Sequence, residues 1–221
     1  MQQCSLFATE KYKDLEAKIK DYLNSRDDYL TASTAKSPRA VGDAIQDLLS
    51  EHFHILLGSE SCSRYSADFA RRAMADLAFE DPAGCYYRVD VKTHRLSTKF
   101  NMPNLTSVER LARFYEDEKN FFVIMMVSYE VTAMRVEVEK VLFVPIEFLC
   151  WDCLTIGALG WGQIQIRNSN DVRVDHGRSR KTWMVELCDA MLEFYPREIL
   201  KIDTRVQYFQ EARKRWVDRP E

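Results

Sequence analysis

Tyr86-Tyr87-Arg88-Val89-Asp90-Val91-Lys92 is the stretch on which the reading of this chain turns. Its aromatic and β-branched residues predict a strand. Side chains alternate across a strand, so Asp90 and Lys92 share one face while Val89 and Val91 share the other. A carboxylate and an ammonium side by side at a strand end can hold a divalent cation and orient a water. The tail beyond Lys92 is a polar loop that contains Asn101, Pro103 and Asn104. Upstream, residues 76–80 predict a short strand and Asp81-Pro82-Ala83-Gly84 a turn. The returning strand, 85–92, then forms a hairpin that brings Asp76 and Asp90 to the same end. Glu80 and Asp81 are rival acids in that hairpin.

An acid two residues before a lysine is a cheap pattern in a chain with 29% charged residues, so its setting has to decide. Asp117-Glu118-Lys119 falls in a charged turn, and Glu16-Ala17-Lys18 in a surface helix. Only Asp90-Val91-Lys92 ends a hydrophobic strand with a second acid one hairpin upstream.

Away from the hairpin, the apolar spacing predicts helices over residues 9–29 and 39–53, with a small polar loop at 31–38. Val41, Ile45, Leu48 and Leu49 form the stripe of the second helix, while Asp43 and Gln46 lie one turn apart on another face. Residues 60–70 are ambiguous. A helix is expected over 105–116 and a strand buried on both faces over 121–131. Further strands are expected over 134–144 and 163–167. A glycine-rich loop over 156–162 carries Trp161, and two final helices are expected over 179–195 and 198–216. Strands interleaved with helices indicate an α/β (α+β) fold, a mixed central sheet flanked by helices. One domain over 1–221 is expected, with 1–38 as an N-terminal helix and linker.

The 221 residues are 46% hydrophobic with only 7 Gly and 6 Pro, the composition of a globular chain with a sizeable core. The net charge of -3 excludes a uniform polycation but leaves room for a local basic cleft. No basic start with a following apolar run marks a signal peptide, and no stretch reads as a membrane span. Six scattered cysteines suit a reducing cytoplasm. Cys150-Trp151-Asp152-Cys153 has redox or zinc spacing but no second pair. His52 and His54, at a helix end, suit surface or core roles better than ligation.

Asp76, Asp90 and the Val91 carbonyl suit a hard cation such as magnesium, which takes oxygen ligands and keeps several waters. Lys92 can orient a water and steady developing negative charge. That chemistry suits phosphodiester hydrolysis. Residues 76–104 resemble the PD-(D/E)XK nuclease superfamily, and within it the blunt-cutting type II restriction endonucleases. Asp90-Val91-Lys92-Thr93 followed by Pro103-Asn104, the helix from Arg39 through Phe53, Gln163-Ile164-Gln165 and Ser179-Arg180-Lys181-Thr182-Trp183 carry the resemblance in one shared order. The pattern departs at Ala75, where the family's proline would precede Asp76.

The resemblance implies a restriction-endonuclease-like core and a magnesium-dependent enzyme, with manganese as a substitute. It implies cleavage of double-stranded DNA at a palindrome, leaving blunt ends with 5′-phosphates. Asp76 and Asp90 would be metal ligands, Lys92 the catalytic lysine, and Asp43 or Gln46 an accessory group. Asn104 would contact a base, and Asn101 would contact DNA; asparagine pairs bidentately with adenine. Arg95, Lys99, Gly160, Trp161, Gln163, Arg178 and Arg180 are the remaining DNA-contact candidates. They lie in two segments rich in basic residues, 92–113 and 163–181, apart from Gly160 and the glycine-flanked Trp161. Palindromic sites imply a homodimer, and the resemblance further implies a bacterial cytoplasm and a cognate methyltransferase that acts on the same site but need not bind this chain. A repair or junction-resolving nuclease and a non-catalytic DNA-binding module are the alternatives.

Overall fold

The computed structural model describes residues 6–26, 30–31, 33–66, 75–158 and 161–220. The chain divides into two units, residues 1–177 and 178–221. The first holds two sheets. In chain order its strands are β1 (Arg64–Ser66), β2 (Leu77–Glu80), β3 (Tyr86–Arg95), β4 (Asn104–Ser107), β5 (Asn120–Thr132), β6 (Arg135–Pro145), β7 (Leu154–Gly157) and β8 (Gln163–Ile166). A five-stranded sheet runs β1-β2-β3-β5-β6, and a three-stranded sheet runs β4-β8-β7. β3 pairs with β5 in parallel, and the other neighbours in the larger sheet are antiparallel. The expected mixed α/β class with a central mixed sheet is therefore present.

β5 is the spine. Phe122 to Val127 are buried without a break, as expected for a central strand covered on both faces. Helix α2 (Pro38–Leu57) starts where Pro38 takes the first helical position and Ser37 Oγ accepts from Ala40 N. Its buried stripe is Val41, Ile45, Leu49, Phe53 and Leu57. Each such side chain contributes roughly 1.5–3 kcal/mol on burial. Gly42 permits a close approach of α2 to β3: a Cβ there would stand 2.6 Å from Thr93 Oγ1.

Helix α1 (Lys11–Asn24) packs on β6 and α2 through Tyr12, Leu15, Ile19 and Leu23. It also closes the sheet edge that β6 would otherwise leave open. Asn24 donates to Val138 O (3.0 Å) and accepts from Val138 N (2.7 Å), as a neighbouring strand would. Glu16 accepts from Phe143 N at 2.6 Å, and Lys20 donates to Glu139 O at 2.9 Å. An edge satisfied in this way does not template another chain. Burial raises the Glu16 carboxyl above its ordinary pKa, with the Phe143 N–H pulling against it.

The predicted helix over 105–116 divides. Residues Asn104–Ser107 are strand β4, and only Val108–Phe114 is helical, as α3. The start of the expected 156–162 loop belongs to β7. In the second unit the two expected helices are one, α4 (Arg180–Val217), of 38 residues. Ser179 Oγ caps it by accepting from Thr182 N at 3.1 Å. Pro196 lies inside it. The missing N–H there removes one helical bond, but the flanking turns are mostly exposed, so the freed carbonyl is open to solvent. No helix among the described residues is long and apolar enough to cross a membrane.

Candidate active site

The hairpin places its acids as the sequence predicts. Leu77 pairs with Val89 and Glu80 with Tyr86, so the turn lies at 81–85 and Asp76 lies at the opposite end beside Asp90. Asp76 N donates to Val89 O at 2.9 Å and continues the ladder one residue past β2. There the side chain takes over. Asp76 Oδ2 accepts from Val91 N at 2.7 Å, and Asp76 Oδ1 accepts from Gln46 Nε2 at 2.5 Å. One carboxylate is thus fixed between α2 and β3. Of the two helix residues expected as accessory groups, Gln46 makes this contact, while Asp43 is exposed one turn earlier.

Asp90 is 5% exposed. Its Oδ1 accepts from Lys92 Nζ at 2.7 Å, and its Oδ2 is buried with no partner among the described residues. Burial pushes its carboxyl from the ordinary 3.8 up to about 7; Lys92 opposes the rise, and the nearby Asp76 charge adds to it. A buried carboxylate oxygen without a donor costs about 1–3 kcal/mol or more, and a bound cation would remove that cost. The rival acids are engaged elsewhere. Asp81 Oδ1 accepts from Ala83 N and Cys85 N, each at 2.9 Å, and its Oδ2 accepts from Tyr87 Oη at 2.8 Å. It is the turn's structural cap. Glu80 pairs with Arg64 at 3.0 Å.

Among the described residues no three His, Cys, Asp or Glu side chains gather as a metal cluster. Two carboxylates are nevertheless a sufficient protein contribution for magnesium, which retains waters. The orphaned Asp90 oxygen and the fixed Asp76 carboxylate fit such an ion. In a strand the N–H and C=O of one residue face the same edge. The Val91 carbonyl therefore faces the side on which its N–H meets Asp76.

The two sequence islands expected to read DNA lie in the smaller sheet. Asn104 pairs with Gln165 in the β4–β8 register, and Gln165 Nε2 donates to the exposed Asn104 Oδ1 at 2.6 Å. Gln163 is half-buried opposite Ser107 and Gly157. Trp161 is 73% exposed, so it does not plug the core; Gly160 lies outside the described residues. Arg95 meets Glu130 at 3.4 Å. Lys99 is exposed, and its carbonyl accepts from Asn170 Nδ2 at 3.2 Å. The Asn101 carbonyl accepts from Ser169 N at 2.8 Å. In the second unit Arg178 is ion-paired with Glu186, and Arg180 is the first residue of α4.

Sequence reasoning passed over two residues. His94 continues the face of Asp90 and Lys92, a relation that the period of two already contained. It is buried, and its Nε2 lies 2.9 Å from Asn170 Oδ1. Asn170 also donates to Thr98 O at 3.0 Å; no local pattern marks it.

The Cys-x-x-Cys pair is structural. Cys153 Sγ donates to Cys150 O at 3.0 Å, and burial raises its thiol pKa. His52 Nδ1 lies 3.3 Å from Leu48 O, and His54 stacks on Tyr65.

No family model matches this chain, and no curated protein matches it.

Proposed function

We propose that this chain is a type II restriction endonuclease: a magnesium-dependent hydrolase of double-stranded DNA, acting as a homodimer at a palindrome and leaving blunt, 5′-phosphorylated ends. The observation that carries the reading is the meeting of Asp76, Asp90 and Lys92 at the open end of the β2–β3 hairpin, with one Asp90 oxygen left buried and unpaired among the described residues. Magnesium, held by Asp76, Asp90 and the Val91 carbonyl, would lower the pKa of a bound water and neutralise phosphate charge. Gln46 and the Val91 N–H hold Asp76 in one rotamer, so that carboxylate needs no reorganisation on binding. Lys92 carries the remaining positive charge. Drawn from Asp90 toward the scissile phosphate, its ammonium orients the attacking water and steadies charge on the phosphoryl oxygens. Asn104 and Gln165, paired on adjacent strands, form the candidate base-reading edge.

The test is digestion of a plasmid of known sequence by the purified protein with magnesium, followed by sequencing of the ends. A discrete fragment ladder with blunt ends is expected, and Asp90→Ala and Lys92→Ala should each abolish it. Preference for branched or mismatched DNA would favour a repair nuclease. Binding without cleavage in magnesium or manganese would leave only a DNA-binding module. Cleavage unchanged in Asp90→Ala would refute the site.

A further inference from the structure

The exposed face of α4 has a regular seam. Leu192, Ile199 and Val206 recur every seven residues, and Tyr195, Ile202 and Phe209 follow each of them by three. These are the a and d positions of a heptad repeat. The spacing continues through Arg213 at a and Trp216 at d. A seam buried within one chain would be covered, yet Leu192 is 73% exposed, Phe209 67% and Trp216 68%. The helix interior that Trp183, Leu187 and Met191 bury lies on a different stripe, which ends where the exposed seam begins. Off the seam, α4 carries the exposed Leu200, Tyr208 and Val217 among mainly charged and polar residues; a continuous apolar stripe of this length marks an interaction surface.

We propose that the seam binds a second copy of this chain, α4 against α4, antiparallel about a two-fold axis midway between Ile199 and Ile202. In an antiparallel pair, a packs on d′ and g lies beside g′. This register sets Ile199 on Ile202′, Tyr195 on Val206′ and Leu192 on Phe209′, and the two-fold repeats each layer. Six consecutive layers are then apolar, over about 27 Å of helix. The flanking g positions are Glu198 and Arg205, so Glu198 lies beside Arg205′ twice. A parallel pair sets Arg213 against Arg213′ in the seam and brings Glu198 beside Asp203′, two like-charge contacts. Charge therefore selects the antiparallel copy. The seam lies on α4 alone and requires nothing of the nuclease site.

Sedimentation equilibrium on the full chain, from low micromolar to hundred-micromolar concentration, tests it. A dimer is expected, and Ile199→Asp should leave a monomer. Arg205 is exposed, so Arg205→Glu does not endanger folding; it should weaken the dimer about tenfold. Combining it with Glu198→Arg should recover most of that loss. Glu198 also meets Lys201 of its own helix at 2.5 Å, which is why Arg205 is the cleaner single change. A wild type that stays monomeric throughout, or a dimer indifferent to Ile199→Asp, overturns the proposal. So does a dimer that Arg205→Glu leaves unchanged or that Glu198→Arg tightens, the parallel result. Each is read without any cleavage assay.

Discussion

Asp90 holds its proton more tightly in the folded chain than in the unfolded one, because burial disfavours its charge. Its folded pKa is about 7 against an ordinary 3.8. Between those two values the native state carries a proton that the unfolded state lacks, so stability falls as pH rises through the window and is flat above it. In EDTA, urea unfolding at pH 5 and pH 8 should show the wild type losing on the order of 2 kcal/mol more than Asp90→Asn over that interval. Parallel losses in the two proteins would mean that the carboxyl is not desolvated. The same residue scale separates Gln46 from Asp43. If Gln46 only positions Asp76, Gln46→Ala should lower kcat severalfold and raise the magnesium requirement, while DNA affinity in calcium stays unchanged. A fall in DNA affinity instead would assign Gln46 a direct DNA contact.

At the scale of elements, α1 shows how a helix finishes a sheet. Asn24 makes two bonds to Val138 on the outer edge of β6, and Asn24→Ala leaves both backbone groups to find water beneath a packed helix. Chemical denaturation should show a loss of about 1–3 kcal/mol. A loss within the scatter of ordinary surface substitutions would show that the edge is already wet. Elements whose signal is local were legible in the sequence. The β5 run, the α2 stripe and the β2–β3 hairpin rest on neighbours a few residues apart, and periodicity sees those. β4 was not legible: Leu105, Val108 and Leu111 mimic a helix, and what makes Asn104–Ser107 a strand is its pairing with β8, about sixty residues away. Pro196 misled in the opposite direction. Proline usually ends a helix, but α4 continues through it. The placement of Asp76 beside Asp90 was legible because hairpin register follows from turn length. The choice between Asp43 and Gln46 was not, because two residues a turn apart differ only in what the tertiary fold sets opposite them.

In the larger unit of the molecule, the candidate active-site residues and the candidate reading residues lie on different sheets, joined by the segment after β3. Residues 96–103 lead from the Asp90–Lys92–His94 face to Asn104 and are strapped to the end of β8 and the chain that follows it. Ile166 N donates to Pro103 O, and Ser169 N donates to Asn101 O. Asn170 meets His94, Thr98, Lys99 and Asn168 with one side chain. His94 thereby links β3 directly to the strap. On the proposed function, reading and cutting would be coupled only if this connection keeps its length when DNA binds, which makes Asn170 the place where that coupling would be most exposed to a single change. Asn170→Ala deletes these side-chain bonds, touches neither carboxylate nor Lys92, and leaves every basic side chain in place. Non-specific DNA affinity and its salt dependence, which follow phosphate neutralisation, should therefore be unchanged. Cleavage at the preferred site should fall tenfold or more, while cleavage at single-mismatch sites falls less, so the ratio of the two rates narrows. A uniform fall at all sites would mean that Asn170 supports only the catalytic face through His94. An unchanged ratio with full activity would mean that the backbone bonds at Asn101 and Pro103 suffice to hold the two sheets in register.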